Sequence, residues 1–412
     1  MSKDCCSQPG LMPIEEARRQ LVESITPVSG VERVPLANAA GRTLAEPVFA
    51  QIDLPSFDNS AMDGYAIRHR DLTDSEPLKL VGKSFAGAPF ENPLPSGCAV
   101  RIMTGAVIPE GADTVVMQEN VEVQGDRIFI RKTVAEGEHI RRRGEDVVTG
   151  TELLIPGQQI TTAHIALAAA AGTGSIVAVR KPVVALFSTG DELQQPGTPL
   201  TAGGIYDSNR IALQSALQQM HVEVLDLGIL PDDRQQISDA LENVAARADA
   251  IITSGGVSVG EADYTREVIE SLGEIYLWKI AMKPGKPFAF GRVGDTPLFG
   301  LPGNRVSALV TFQQLVIPAL AQLRGSTPKP RTSLCARLVS PLKKKPGRVD
   351  FQRGFYSRNR RGELEVAAVG HQGSHILSGL ANANCFIVLP HSSGDLPAGT
   401  LVELTPLESP FA

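Results

Sequence analysis

VVALFSTG at 183–190, EVLDLGIL at 223–230, AIITSGG at 250–256 and TPLFGLPG at 296–303 are apolar runs that end in turn residues. The first, second and last lead into stretches of helical spacing at 207–220, 234–246 and 306–323. Strands alternating with helices in this way predict βαβ crossovers and a parallel, doubly wound α/β sheet. Upstream, MPIEEARRQLVESI (12–25) places Ile14, Ala17, Leu21, Val22 and Ile25 on one face of an amphipathic helix. Between 51 and 140, short β-like runs (AVRIMTG, TVVMQENVEV, RIFIRK) alternate with Pro/Gly turns, and no helix is convincing, as expected of a β or mixed insertion. Downstream, TPKPR and KKKPGR form a proline-rich, basic boundary. The short strands after it (SLCARLVS, ELEVAAVG, CFIVLP, TLVELTP) fit a small β-barrel-like domain.

A chain of 412 residues accommodates two to four such units. With 39 Lys and Arg against 45 Asp and Glu, the net charge is −6. That balance provides no general attraction for nucleic acid or an anionic membrane, so an anionic ligand needs a local cluster. Five cysteines with no C-x-x-C spacing argue against a disulfide scaffold or a zinc ribbon. MSKDCCSQPG lacks an apolar signal core, which makes the cytoplasm the default compartment. The uncharged stretch from Leu153 to Val179 exceeds the ~20 residues of a bilayer span. Pro156, Gly157, Gln158, Gln159, His164, Gly172 and Gly174 interrupt it, so it reads as a small-residue helix, a turn and a strand.

Three strand ends carry glycine with hydroxyl or amide residues: Ser188-Thr189-Gly190, Ser254-Gly255-Gly256 continuing to Ser258, and Pro302-Gly303-Asn304. Ligands of open α/β sheets bind beyond the carboxyl ends of strands, where glycine admits backbone N–H groups close to an anion. Phosphate is the natural ligand. Glycine is common in βα turns, but three such loops in one segment favour a site. Glu192 and Asp263 follow the first two of these loops and Asp232 follows EVLDLGILP, and carboxylates beside phosphates commonly hold Mg²⁺. Asp233 and Glu261 read instead as caps or solvated charges. Lys279, Lys283 and Lys286, within KIAMKPGKP, suit an oxyanion or pyrophosphate, with a lysine-protected sheet edge as the competing account. Asp58, Asn59 and the run Arg141-Arg142-Arg143-Gly144-Glu145-Asp146 read as turn chemistry.

The motifs FDNSAMDGYA, RIMTGAVIPEGADTVVMQE, RRRGED, FSTGDEL, YDSN, SGGVSVGEADY, KPGKPFAFG and FGLPGN occur in this order across 57–304, followed by GRVDFQRG and GHQGSH. In this combination the chain resembles the bacterial molybdopterin molybdenumtransferases, molybdenum insertases whose relatives include the gephyrin E domain. The resemblance covers nearly the whole chain. It implies an elongated homodimer of four-domain protomers: a discontinuous linker or dimerisation domain (1–50 and 141–179), a mixed β insertion (51–140), a molybdopterin-binding α/β domain (180–326) and a C-terminal β domain (327–412). It implies that adenylylated molybdopterin and molybdate are converted to molybdenum cofactor and AMP with Mg²⁺ or a similar divalent ion. The partners implied are a molybdopterin adenylyltransferase and cofactor-accepting molybdoenzymes or chaperones.

By the same resemblance Glu192, Asp232 and Asp263 hold the divalent ion or orient water, the glycine loops cradle the pterin phosphate, and Lys279, Lys283 and Lys286 balance charge. Asp63, Thr104 and Asp146 are expected from the facing protomer, whose 51–140 domain meets the α/β domain across the cleft. Ser307, Arg353 and Ser374 are candidates for the molybdate pocket. Arg305 stands where the family usually has proline, and a cation at a helix start needs an anion nearby to be favourable. Two other readings are a dimeric scaffold that binds cofactor or a partner peptide without turnover, and an enzyme of the preceding adenylylation. Charged residues in the cleft oppose the first, and the length of the chain opposes the second.

Overall fold

The computed structural model describes residues 10–72, 76–132, 134–256, 264–327 and 332–407. Its central sheet has six strands in the spatial order Glu223–Leu230, Val183–Thr189, Ala250–Ser254, Thr296–Leu301, Pro287–Val293, Gly273–Lys279. The first four are mutually parallel and the last two antiparallel, so the sheet is mixed at one edge rather than wholly parallel. Within the central strands, alternate residues face opposite layers. Val184, Leu186, Ile252 and Phe299 join one core with the helices Ser208–Gln219 and Arg305–Thr311. Ala185, Phe187, Ile251 and Leu298 join the other with Arg234–Ala245 and Tyr264–Leu272. Burial on both faces is what the near-continuous apolar runs require. The helix Tyr264–Leu272 follows the third strand, where the spacing reading had placed none.

The opening helix Ile14–Ser24 packs Ile14, Ala17 and Leu21 into the first of these cores. Val31–Pro35 pairs with Ser175–Val179, and Val48–Phe49 with Glu152–Leu154. These two segments, distant in sequence, share one small core with Leu44, Ile160 and Ala168. A separate six-stranded sheet runs through 64–130 around Tyr65, Ile67, Ala99 and Ile128, with no α-helix among its described residues.

In the C-terminal part, Val349–Arg358 pairs with Leu364–Ala368, which pairs with Leu334–Leu338, then Leu401–Pro406, then Cys385–Leu389, which returns to Val349–Arg358. Five strands thus close a barrel around Leu338, Val366, Ile387 and Leu404. Met282–Lys283 adds to it in parallel with Val349 and Asp350, stitching the lysine-bearing loop to the barrel. The one described helix long and apolar enough to cross a membrane is Arg305–Leu323, and most of it is buried in the central core.

Candidate active site

Capping and charge pairing set the cleft at the strand ends. Asp207 is buried and caps Ser208–Gln219, its carboxylate accepting from the Arg210 N–H at 3.1 Å and from Ser188 Oγ at 3.2 Å. The Arg210 guanidinium, itself buried, pairs with Asp207 at 2.9 Å and Asp226 at 2.5 Å. Burial pushes that guanidinium down, but the two carboxylates together hold it above its ordinary value. Next along the helix, Asn209 Nδ2 donates to Ser254 Oγ and to the Gly303 carbonyl, both at 2.8 Å. One side chain therefore ties the first turn of this helix to the ends of two strands.

The result is a cleft of about 390 Å³ lined by Thr189, Glu192, Asp207, Asn209, Ser254 and Arg305, among others. Thr189, Ser254, Gly255, Gly303 and Asn304 thus converge there, with Gly190, Gly256 and Pro302 adjoining in sequence, whereas Ser188 is fully buried behind the lining and bonded to Asp207. Arg305 Nε donates to Ser208 Oγ at 3.1 Å, and its terminal nitrogens make no bond among the described residues. Tyr206, Asp207, Ser208 and Asn209 belong to the cleft although they were not among the candidates named from sequence. An Asp-Ser-Asn immediately before a helical stretch is an N-cap signature that could have flagged them.

Beside the cleft, the Asp232 N–H donates to Asp191 Oδ1 at 3.1 Å. Burial first, then the charges of Asp191 and Glu192, raise the Asp232 carboxyl above its ordinary value. Asp233 caps Arg234–Ala245 through the Gln236 N–H at 2.8 Å, as its position in the sequence predicts. Ser258, Glu261 and Asp263 lie outside the described residues. Among the described residues no three His, Cys, Asp or Glu side chains form a ready metal cage. Mg²⁺ needs only one or two protein carboxylates. The charges of Asp191 and Glu192 both act on Asp232, and the Glu192 carboxylate occupies space that a Cβ at Gly190 would enter at 2.7 Å.

A second group of candidates converges at the start of the Arg305 helix. The Val306 N–H donates to the Ser374 carbonyl at 3.1 Å, next to Ser307. Gly285 approaches the same helix so closely that a Cβ there would meet Thr311 Oγ1 at 2.3 Å. Arg353 is fully buried and donates to the carbonyls of His371 at 2.6 Å, Gly373 at 3.2 Å and Gln372 at 3.4 Å. Its Nε has no partner among the described residues. Arg353 therefore shapes the 371–374 loop from beneath. Lys279, Lys283 and Lys286 are exposed on the loop above, and Lys283 Nζ pairs with Asp350 at 3.3 Å.

In the upstream sheet, Asp63 Oδ1 accepts from both the N–H and Oγ1 of Thr104 at 2.8 Å, the N–H foremost in holding this exposed carboxyl below its usual range. The structure therefore brings Asp63 and Thr104 together. It does not bring either of them, or the exposed Asp146, to the lining of the cleft of the same chain. The RRRGED run is tied down as a turn, with Arg142 pairing with Asp58 at 2.7 Å and Arg143 with Asp53 at 2.5 Å.

Residues 12–172 match the MoeA N-terminal region (domain I and II), 185–322 a probable molybdopterin binding domain, and 335–407 the MoeA C-terminal region (domain IV). The chain is 47% identical to the molybdopterin molybdenumtransferase of Haemophilus influenzae over 398 residues, covering 96% of this chain and 98% of that one. Over 407 residues it is 36% identical to molybdopterin molybdenumtransferase 2 of Mycobacterium tuberculosis, covering 95% and 98%. A crystal structure of the molybdopterin biosynthesis moeA protein of Pyrococcus horikoshii superposes with a TM-score of 0.82 at 30% identity, covering 96% of this chain and all of that one. On three matched regions and full-length relatives of this similarity, the chain belongs to the MoeA family.

Proposed function

We propose that this chain is a molybdenum insertase, a transferase that converts adenylylated molybdopterin and molybdate to molybdenum cofactor and AMP. The observation that carries the reading is the convergence of three glycine–hydroxyl strand ends on one cleft, with carboxylates beside it and a lysine-bearing loop nearby. Such a substrate brings a phosphoanhydride and the oxyanion brings further negative charge. The Thr189 hydroxyl and backbone N–H groups of the Gly190, Gly256 and Gly303 loops would bind the phosphates, and Lys279, Lys283 and Lys286 would offset the charge. Asn209 and Ser254, bonded to each other, would orient the pterin end.

Asp191, Glu192 and Asp232 would hold a divalent cation such as Mg²⁺, which when bound neutralises phosphate charge and polarises the anhydride. Asp232, raised by burial and its acidic neighbours, holds a proton more readily than an ordinary aspartate when no cation is bound. Arg353 is a positioning residue, holding the loop that carries Ser374 against the helix that carries Ser307.

Asp63 and Thr104 would act across a homodimer. Phe49, Ile52, Phe57, Val148 and Ile155 are exposed on the connecting region and would suit contact with a second copy. The cytoplasm is the compartment we infer. A molybdopterin adenylyltransferase would supply the substrate, and a molybdoenzyme or its chaperone would accept the cofactor.

Incubating the pure protein with adenylylated molybdopterin, Mg²⁺ and limiting molybdate is expected to yield AMP and cofactor in step with molybdate. AMP release that does not respond to molybdate and yields no cofactor, or binding with no turnover, would favour a scaffold. Mixed Asp63→Asn and Glu192→Gln chains are expected to recover up to about a quarter of wild-type activity, because a random hybrid retains one intact composite site. Activity in the mixture no higher than in either variant alone would exclude a site shared between protomers.

A further inference from the structure

A basic cavity separate from the strand-end cleft is formed by the described residues. It lies where the loop bearing Lys283 meets the barrel and encloses about 830 Å³. Lys283, Lys343, Lys344, Lys345 and Arg348 line it, against only two carboxylates, Asp350 and Asp395. Both carboxylates are already engaged, Asp350 by Lys283 at 3.3 Å and Asp395 by Lys343 at 2.9 Å. Lys344 is buried, and its Nζ reaches only carbonyls, Ser393 O at 3.0 Å and Lys345 O at 3.4 Å. The side chains of Lys345 and half-buried Arg348 make no hydrogen bond or ion pair among the described residues. Lys345 and Arg348 therefore have no ionic partner among the described residues, and Lys344 has only carbonyls and the partial offset of Asp350, around one cavity of an acidic protein.

Burial opposes the charge on Lys344. Asp350 offsets part of that cost, while the positive charges of Lys283 and Arg348 add to it. Crowding of this kind is unfavourable until an anion enters, and a partly enclosed cavity screens the repulsion less than open water does. No aromatic residue lines the cavity, so it offers no platform for a nucleobase or pterin ring. Ammonium groups arranged as point charges match a compact ion better than a planar one.

We propose that this cavity binds a tetrahedral oxyanion dianion, through Lys344, Lys345 and Arg348, and delivers it past Lys283 toward the loop above the Arg305 helix. Naming molybdate as that dianion rests on the insertase reading, whereas the anion site itself does not. The same chemistry would accept the phosphate of AMP, so the test separates the two.

The full-length protein is to be compared with Lys345→Gln/Arg348→Gln and with the charge-preserving Lys345→Arg/Arg348→Lys, using equilibrium dialysis against molybdate and, separately, AMP. The neutral double variant is expected to bind molybdate at least tenfold more weakly and the charge-preserving variant within about threefold of wild type. Loss of AMP binding with molybdate binding intact would assign the cavity to the phosphate ester instead of the free oxyanion. Unchanged binding of both ligands by the folded neutral variant would overturn the proposal. In the insertion assay, the half-saturating molybdate concentration is expected to rise about tenfold, while the rate at saturating molybdate and the KM for adenylylated molybdopterin stay within twofold. An unchanged molybdate half-saturation would overturn delivery to the reaction. Wild-type protein that binds molybdate but forms no cofactor would remove the insertase reading and leave the anion site standing.

Discussion

Asp207→Ala is expected to destabilise the central α/β unit by about 3 kcal/mol, the lower end of the cost of breaking a buried ion pair. The variant strands the buried Arg210 guanidinium on Asp226 alone, removes the acceptor of Ser188 Oγ and deletes the cap of Ser208–Gln219. The effect extends into the site, because Asn209 is held in register by that same first turn. A drop in melting temperature of several degrees and a loss of at least tenfold in kcat/KM are the expected readings. Asp207→Asn keeps a capping oxygen and is expected to lie between the variant and wild type. The double variant Asp207→Leu/Arg210→Met removes the stranded charge, so it is expected to melt above Asp207→Ala while still lacking activity. If Asp207→Ala melted like wild type, the pair would not organise the strand-end cleft.

The second large effect is expected at Gly256. Its φ of +64° is a conformation that side chains rarely adopt, and a Cβ there would lie 2.4 Å from both Thr189 Oγ1 and Thr265 Oγ1 and 2.8 Å from Thr265 Cβ. Thr189 and Thr265 are both buried, so the clash is relieved only by moving the strand end away from the helix Tyr264–Leu272. Left-handed strain of about 1 kcal/mol together with overpacking of about 1–3 kcal/mol predicts a loss of about 2–4 kcal/mol for Gly256→Ala. Displacing the loop by even a fraction of an ångström misplaces backbone donors, and a fall of about 100-fold in kcat/KM is expected. Gly294→Ala is the control. Its φ of +56° is similar, but nothing lies within 4 Å of the added Cβ, so about 1 kcal/mol and full activity are expected. Equal melting and equal activity of the two variants would show that the close approach at Gly256 does not matter.

Much of the central unit was legible in the chain because its strands are buried on both faces. VVALFSTG, AIITSGG and TPLFGLPG must then be apolar throughout and must break where the cleft begins. The helix Tyr264–Leu272 escaped notice because Asp263, a residue type that starts helices, was read as part of the acidic site instead. The antiparallel edge formed by Gly273–Lys279 and Pro287–Val293 escaped for another reason, since proline and glycine between Lys283 and Pro287 mark a turn without saying which strands it joins.

Within the site, Ser188, Thr189, Ser254, Gly303 and Asn304 were legible as loop chemistry at strand ends. Asp207 and Asn209 lie at the start of the helical stretch read at 207–220, where Asp207 is the cap. Their second role appears only when Asn209 reaches Ser254 and Gly303 from another part of the chain. Arg353 was legible as a candidate to meet an anion, but it was not legible that its two terminal nitrogens bond the backbone carbonyls of the 371–373 loop while its Nε has no partner among the described residues.

The sequence by itself determined the alternation of strands and helices, the glycine-bearing strand ends and the basic character of 343–348. These depend on local periodicity, backbone freedom and charge, which neighbouring residues express directly. Only the tertiary structure decided that Lys283 and the 343–348 lysines enclose one cavity, that Asp63 and Thr104 pair away from the cleft, and that segments near 31–49 and 152–179 share a core. Those facts depend on which surfaces bury one another across more than a hundred residues. That choice is made by the packing of the whole chain, and no local window of the sequence contains it.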